Sequence, residues 1–196
     1  MKQPPVHYTV VGVDPSLAAM GVWVIPTTPH NLAGGYTLKT SPDTHPVERL
    51  VDLQQRLQKI LEKIRPDLVV LEDYVYSSPR GGADSRSFEI GGVVRVLLWH
   101  LKQRTLLVNP GQLKKFVLGK GSGKKELILQ QVYKRWDLEL SDHNQADAYV
   151  LARIGEAYCE ADRLGWLPVY EKNTWIQTKT DLDVVTTLLK RGYLLR

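Results

Sequence analysis

The sequence predicts an α/β fold in which a five-stranded mixed sheet is flanked by helices. The chain opens with three short apolar runs. Two further apolar runs come later, and segments with helical periodicity stand before, between and after these two. Strands that alternate with helices in this way form a sheet with helices packed on its faces. The length of 196 residues is sufficient for one buried core of this kind.

The first three strands are predicted at Tyr8 to Asp14, Gly21 to Ile25, and about Gly35 to Thr40. Turn-forming Pro, Asn and Gly residues separate the second strand from the third, and the three can pair as an antiparallel meander. Apolar residues then recur at helical spacing up to Ile64, and Pro66 ends this first helix.

The remaining elements alternate between strand and helix. The runs DLVVLEDY and TLLVN are short apolar stretches of the kind buried in a sheet, and they predict the fourth and fifth strands. Helices are predicted from about Ser85 to Gln103, from Pro110, across KKELILQQVYKRW, and from His143 to about Cys159. Ser141 or Asp142 would cap the last of these.

We expect a core domain over residues 1–164 and an appendage over residues 165–196, which would pack either on the core or on a partner subunit. A short helix is predicted in the appendage from Asp181 to Lys190. The single cysteine, Cys159, rules out an internal disulfide and favours a reducing compartment. We find no signal-peptide core and no apolar run near the ~20 residues that cross a bilayer, so we expect a cytoplasmic protein.

The net charge of +5 is concentrated in one segment. From Lys114 to Arg135 the chain carries seven basic residues against Glu126 alone, so the remainder is close to neutral. A local basic surface favours a polyanionic partner such as a nucleic acid. A lysine-rich surface that contacts only solvent is the alternative interpretation.

Three acidic residues occupy positions that usually suit a core. Asp14 ends the first strand, Glu72 lies near the end of the fourth, and Asp147 lies inside the last core helix. Buried charges cost free energy unless they are paired or bound to a metal. If the first and fourth strands are parallel neighbours, Asp14 and Glu72 emerge together at the edge where α/β sheets bind ligands. Three such carboxylates would suit Mg²⁺ or Mn²⁺.

Each acid also has a structural explanation when it is taken alone. Asp14 stands before a proline and could form an Asx turn. Glu72 or its neighbour Asp73 could pair with a basic residue of a helix, and Asp142 suits a helix cap better than a metal ligand. All three acids, however, fall on elements that could bring them to one edge of the sheet, and this coincidence favours the metal site.

Four stretches of the chain carry a recognisable pattern: VVGVDPSLAAMGVWVI, DLVVLEDYVY, LLVNPGQLKKFVLGKGSGKKELILQQV and NQADAYVLA. In this order, between about Tyr8 and Cys159, they resemble the RuvC family of Holliday-junction resolvases, within the ribonuclease H-like superfamily. The resemblance implies a ribonuclease H-like fold and places the family's catalytic acids at Asp14, Glu72 and Asp147. The tail lies outside the resemblance and suggests a divergent member, borne by a phage or a mobile element.

The chain departs from the family at one position. The family's fourth metal-site residue, Asp or His, stands three positions before the last aspartate, where this chain has Asn144. An asparagine is neutral and a weak ligand, whereas His143 could supply a ring nitrogen from the same helix face as Asp147. We expect His143 to be the fourth metal-site residue and to help deprotonate water. Asn144 is the alternative, and Asp142 is a more distant one.

The resemblance implies an endonuclease that resolves four-way DNA junctions by paired symmetric nicks. Two Mg²⁺ ions, or Mn²⁺ as a substitute, would lie ~4 Å apart and flank the scissile phosphate. Hydrolysis would leave 5′-phosphate and 3′-hydroxyl ends. Two symmetric cuts require two active sites, so the implied function also implies a homodimer.

The implied DNA contacts lie in two regions. Lys114 and Lys125 match lysine positions of the family and are the leading phosphate contacts, while Lys120 and Lys124 flank glycines that let the backbone approach DNA. A second set follows Glu72 at the mouth of the site, and its members are Tyr74, Tyr76, Arg80 and Arg86. The resemblance implies that one of the two tyrosines stacks on unpaired junction bases, and packing at the sheet edge is the alternative.

Other functions remain open on the sequence alone. A ribonuclease H-like nuclease of flaps, forks or other branched DNA would share the same acids. A junction-binding protein that no longer cuts is less compatible with three intact carboxylates. A kinase of the actin-like ATPase fold also begins with a hairpin and an aspartate, but the chain lacks the P-loop pattern GxxxxGK[ST] and barely has room for a second nucleotide-binding half.

Overall fold

One mixed sheet organises the molecule. The computed structural model describes residues 8–26, 33–73, 85–164, 177–191 and 194–195. The strands are β1 (Val10–Asp14), β2 (Ala19–Ile25), β3 (Gly34–Lys39), β4 (Leu68–Glu72), β5 (Thr105–Val108) and β6 (Leu194–Leu195). They lie in the order β3-β2-β1-β4-β5-β6. The β1–β4 and β4–β5 pairs are parallel, and the other pairs are antiparallel.

The helices follow the predicted alternation. They are α1 (Pro46–Ile64), α2 (Ser85–His100), α3 (Pro110–Leu118), α4 (Lys125–Trp136), α5 (His143–Leu164) and α6 (Lys179–Arg191). The α/β class and the five predicted strands are confirmed, and β6 is a short sixth strand that the sequence pattern did not indicate. Helix α5 continues past Cys159 because its buried face also continues, with Ala161 2% exposed.

The sheet separates two apolar cores. One face is covered by α1 and α2, whose inward side chains include Leu57 and Val94 and pack on Val11 and Val13 of β1. The opposite face is covered by α3, α4, α5 and α6, and its core includes Val10 of β1. Alternate residues of β1 therefore point into different cores, as the pleat of a strand requires. The parallel centre of the sheet is buried on both faces.

Helix α5 lies unusually close to the sheet because two strand residues beneath it are glycines. A Cβ added to Gly12 of β1 would stand 2.0 Å from the carbonyl oxygen of Ala148. A Cβ added to Gly21 of β2 would stand 2.1 Å from the carbonyl oxygen of Asn144. A glycine inside a strand often marks such a close approach of another backbone. These contacts fix the height of α5 above the ends of β1 and β2.

The described part of the tail packs on the same core. Val184, Val185 and Leu188 of α6 are buried against α3 and α5, and β6 pairs antiparallel with β5. The start of α6 is held by Asp181, which is 0% exposed. Its Oδ2 accepts hydrogen bonds from the Arg135 guanidinium at 2.7 Å and from the Thr178 backbone N–H at 2.9 Å.

We expect Asp181→Ala to lower the free energy of unfolding by about 3 kcal/mol or more, because it leaves the buried Arg135 guanidinium without its carboxylate. Asp183 provides a matched control on the same helix, since it pairs with Lys115 at 3.6 Å but is half exposed. Asp183→Ala should cost ~1 kcal/mol or less. Urea denaturation measures both, and equal losses would show that the Arg135–Asp181 pair does not anchor α6.

Candidate active site at the ends of two parallel strands

Two of the three acids leave the sheet side by side. β1 and β4 are parallel neighbours whose register pairs Val13 with Leu71. Asp14 and Glu72 therefore stand next to each other where these strands end, and both follow the pleat onto the α5 face. Their carboxyl groups share a hydrogen bond. The pair lies at the edge where open α/β sheets bind ligands.

Burial raises the pKa of both carboxyls. Asp14 is 7% exposed, and its pKa lies above the ordinary value chiefly because of burial. The pKa of Glu72 is raised well above its ordinary value, first by burial and then by the negative charge of Asp14. A hydrogen bond between two carboxyls needs a proton on one of them, and the raised pKa values of both groups favour such a shared proton.

Asp147 joins this pair from α5. It lies one residue before Ala148, the residue seated on Gly12, and its side chain is 8% exposed. Burial first, and then the charge of Asp14, raises the pKa of Asp147 to about 7. The charge of Asp147 in turn helps to raise the pKa of Glu72. The three acids therefore act on one another, although they come from distant parts of the chain.

The donor chemistry of the three acids fits a hard divalent cation. Two buried carboxyls and the partly buried one of Glu72, each disfavouring the charge of the others, would gain free energy from a cation that neutralises them, and carboxylate oxygens are the ligands Mg²⁺ and Mn²⁺ prefer. Across the described ranges, no three His, Cys, Asp or Glu side chains already surround one point in a coordinating arrangement. The acids are thus neighbours linked by a hydrogen bond and by charge, and not a closed coordination shell.

Asp142 caps α5. Its Oδ1 accepts the Asn144 backbone N–H at 2.8 Å, and its Oδ2 accepts the Thr37 hydroxyl at 2.5 Å. Burial is the largest single influence and acts to raise the pKa of Asp142. The hydrogen bonds from Thr37, Asn144 and Gln145 together outweigh burial and hold this pKa below its ordinary value. The Asn144 side chain also interacts with Asp142 and helps to lower this pKa.

His143 offers an atom that its neighbours do not. The Nδ1 atom of His143 is buried and has no hydrogen-bond partner among the described residues. Buried polar atoms are nearly always paired, so such a nitrogen calls for a ligand or a functional explanation. Of the two candidates for the fourth position, His143 thus offers a buried ring nitrogen with no hydrogen-bond partner among the described residues.

The two adjacent acids at the end of β4 take different roles. Asp73 forms an ion pair with Arg95 of α2. Glu72 instead bonds to Asp14. A salt bridge to a helix, one structural explanation for this acidic pair, therefore holds for Asp73.

Two lysines of the basic segment act directly on the acids. Lys125 is the first residue of α4, and its positive charge lowers the pKa of Asp14, Glu72 and Asp147. Lys114 of α3 has the same effect on Asp147. Lys120 and Lys124 are exposed in the connection between α3 and α4. The basic segment thus borders the acidic site.

The second set of DNA-contact candidates cannot be compared with the structure. Tyr74, Tyr76 and Arg80 lie outside the described residues. Arg86 lies in the first turn of α2, where the side chains are likewise outside the description. Among the described helices, none is long and apolar enough to span a membrane.

The sequence pattern missed the contact between β3 and α5. Thr37 bonds to Asp142, and the Gln145 side chain donates to the Thr37 hydroxyl at 3.0 Å. These residues lie more than 100 positions apart, at |i−j| of 105 and 108. Three features of the sequence could have indicated a helix packed on these strands. They are the polar Thr37 within β3 and the glycines at positions 12 and 21.

The pKa of Asp147 leads to a pH dependence of stability without metal. Asp147 stays protonated in the folded protein up to about pH 7 but ionises near 3.8 when unfolded. The unfolded chain therefore binds fewer protons between these values, and the free energy of unfolding should fall as pH rises from ~4 to ~7. We expect this decline, on the order of a few kcal/mol, in urea denaturation with a chelator present.

Asp147→Asn should reduce this decline, to which the raised pKa values of Asp14 and Glu72 also contribute, and should be more stable than the parent at pH 8. Asp162→Asn, on an exposed position of the same helix, should leave it unchanged. Divalent metal should restore the parent's stability at pH 8, because it binds the folded site. A parent whose stability does not change between pH 5 and pH 8 would contradict the interpretation.

A sequence model of the family described as "Crossover junction endodeoxyribonuclease RuvC" matches residues 10–154. Two similar proteins carry the same description. The one from Thermomicrobium roseum is 30% identical over 161 residues, which are 79% of this chain and 96% of that protein. The one from Parasynechococcus marenigrum is 27% identical over 155 residues, covering 74% and 96%.

A solved structure shares the fold. It is described as Thermus thermophilus RuvC in complex with Holliday junction substrate. It superposes with a TM-score of 0.62 at 24% identity, and the match covers 81% of this chain and 97% of the other. Another structure of RuvC from the same organism gives a TM-score of 0.61, also at 24% identity.

Proposed function

Because this chain belongs to the RuvC family of metal-dependent crossover junction endodeoxyribonucleases, we propose that it resolves four-way DNA junctions by paired, symmetric nicks. The observation that carries this proposal is the grouping of Asp14, Glu72 and Asp147, whose charges act on one another's pKa values at the ends of β1 and β4. The family assignment excludes the actin-like kinase alternative. We place the activity in the cytoplasm of a bacterial or phage-infected cell, where junction DNA would be found.

Asp14, Glu72 and Asp147 would hold the metal, with His143 as the fourth residue. We propose Mg²⁺, with Mn²⁺ as a substitute and two ions per site. When bound, such ions lower the pKa of a coordinated water and neutralise the charge that develops on the departing 3′ oxygen. Metal binding would also remove the proton that Asp14 and Glu72 share, because ligands bind in their deprotonated form. The products would carry 5′-phosphate and 3′-hydroxyl ends.

The remaining roles belong to groups around the acids. If His143 does not ligate the metal through its unpartnered Nδ1, that atom would instead accept a proton from the attacking water. Lys125 and Lys114, which lower the pKa of the acids, would draw the scissile phosphate toward a site that is otherwise negative. Lys120 and Lys124 would contact phosphates further along the strand.

A homodimer would supply the two active sites that paired nicking needs. Helix α2 offers apolar surface for this purpose, since Val96 is 58% exposed and Trp99 is 63% exposed. Large exposed side chains on one helix are typical of a surface that contacts another protein. Tyr74 or Tyr76, with Arg80 and Arg86, would contact the unpaired bases and backbone at the centre of the junction.

The test is cleavage of a mobile four-way junction by the purified protein, with and without Mg²⁺, and mapping of the nicks. We expect Mg²⁺-dependent nicks at symmetric positions in two opposing strands, with ligatable 5′-phosphate ends. Y-shaped and linear duplexes of the same sequence are the controls. Preferential cleavage of the Y-shaped duplex would favour a flap or fork nuclease, and junction binding without cleavage would favour a protein that only binds.

A further inference from the structure

We infer that Thr37 is a positioning residue for the metal site. Its hydroxyl fixes the first turn of α5 over the row of paired strand residues that includes Asp14. The inference rests on the proposed function, because the site it positions is the proposed metal centre. Thr37 lies on β3, which is two strands away from β1. It therefore acts on the acids only through the helix that it contacts.

Three strands place Thr37 in register with the acid. Asp14 of β1 pairs with Gly21 of β2, and Gly21 pairs with Thr37 of β3. Paired residues of neighbouring strands project to the same side of a sheet. The absent Cβ of Gly21 would point into the Asn144 carbonyl of α5, so this whole row faces α5.

The first turn of α5 lies across this row at three points. Asp142 accepts the Thr37 hydroxyl at 2.5 Å. Asn144 rests its carbonyl over Gly21. Gln145 donates its side-chain N–H to the Thr37 Oγ1 at 3.0 Å. The Thr37 hydroxyl thus donates one hydrogen bond and accepts another, and both partners belong to the start of α5.

This geometry connects Thr37 to the residues that would hold a metal. His143 lies between the two contacts, and Asp147 follows Gln145 by less than one turn. A helix whose N-terminal turn is held at several points cannot easily slide or rotate above the sheet. Groups that orient metal ligands without touching the metal typically contribute 10–100-fold to its affinity.

The experiment compares Thr37→Val with Thr37→Ser. Valine keeps the shape and β-branching of threonine but removes the hydroxyl, whereas serine keeps the hydroxyl. Calorimetric titration of Mn²⁺ into the protein without DNA measures metal affinity directly, and a cleavage assay gives the Mg²⁺ concentration for half-maximal rate. We expect Thr37→Val to weaken Mn²⁺ binding about 10–100-fold, with a matching shift in the Mg²⁺ requirement. Thr37→Ser should bind Mn²⁺ with the affinity of the parent, and junction affinity without metal should not change.

The outcomes separate this inference from the proposed function. A parent that binds no divalent metal and cuts no junction would overturn the function itself. A parent that binds and cuts, with a Thr37→Val variant of equal Mn²⁺ affinity, would overturn the role of Thr37 alone, even if that variant were less thermostable. Should Thr37→Val not fold, Gln145→Met removes the other hydrogen bond of Thr37. It is expected to weaken Mn²⁺ binding about threefold, and unchanged affinity would count against the inference.

Discussion

Replacing Asp147 with asparagine is expected to reduce the single-turnover rate of junction cleavage by roughly 10³-fold or more. Asparagine keeps the size of the side chain but loses the carboxylate that would hold metal. A loss of ~4 kcal/mol of transition-state stabilisation corresponds to this factor. Asp147 is buried and coupled to Asp14 and Glu72, so no other carboxylate of its own helix turn can replace it.

The same change should leave junction binding intact or improve it, because Asp147 repels the phosphate backbone when ionised. Binding is measured by gel shift without divalent metal, and cleavage at saturating protein with Mg²⁺. Asp162→Asn is the matched control, since Asp162 lies on α5 but pairs with Arg104 on the exposed surface. Cleavage within tenfold of the parent, or a loss of binding that accounts for the lost rate, would contradict the assignment of Asp147. Asp14→Asn and Glu72→Gln should behave in the same way.

The second large effect is expected from Gly12→Ala. The added Cβ would lie 2.0 Å from the Ala148 carbonyl oxygen and 2.7 Å from the Ala152 nitrogen, both of them backbone atoms of α5. Neither can rotate away, so the helix must move by an amount on the order of 1 Å. Overpacking of this kind costs ~1–3 kcal/mol of stability. A displacement of ~1 Å at the reacting groups can cost ~10²-fold in rate.

Asp147 precedes Ala148, so it moves with the displaced segment. The rate should therefore fall about 10²-fold even at a temperature where the variant is fully folded. Gly92→Ala is a control for stability alone, because a Cβ there meets nothing within 4 Å but the residue lies on α2, the helix proposed for the dimer. In a helix interior alanine is favoured over glycine, so this variant should be as stable as the parent or slightly more stable. Thermal unfolding and junction cleavage measure both variants. A Gly12→Ala protein that is as stable as Gly92→Ala and cuts as fast as the parent would show that α5 is not held at this height by Gly12.

The fold class and element order were accessible from the sequence because they depend on local patterns. Apolar periodicity indicated β1, α1 and β4 to within a few residues, and Pro66 and the glycines indicated where elements stop. The position of Asp14 and Glu72 at neighbouring strand ends followed from one further assumption, that β1 and β4 are parallel neighbours, which the register confirms. The family pattern pointed to the same two acids and to Asp147.

The choice between chemically similar neighbours depended on tertiary contacts. Periodicity alone could not separate Glu72 from Asp73, although the family pattern pointed to Glu72, and the structure pairs Asp73 with Arg95 of α2. It could not separate Asp142, His143 and Asn144 either. The hydroxyl of Thr37, more than 100 positions away, engages Asp142 as a cap, while the Nδ1 of His143 is left without a partner among the described residues.

The amino-acid sequence by itself determined which residues are apolar at strand or helix spacing, and therefore the elements, their order and the acids at their ends. Only the tertiary structure decided how close α5 lies to the sheet, which hydrogen bonds fix its first turn, and how far burial raises the pKa values of the acids. The physical reason is the distance along the chain over which each interaction acts. Periodicity and capping act over a few residues, whereas the backbone contact at Gly12, the Thr37 hydrogen bond and the desolvation of Asp147 exist only once distant segments have packed together.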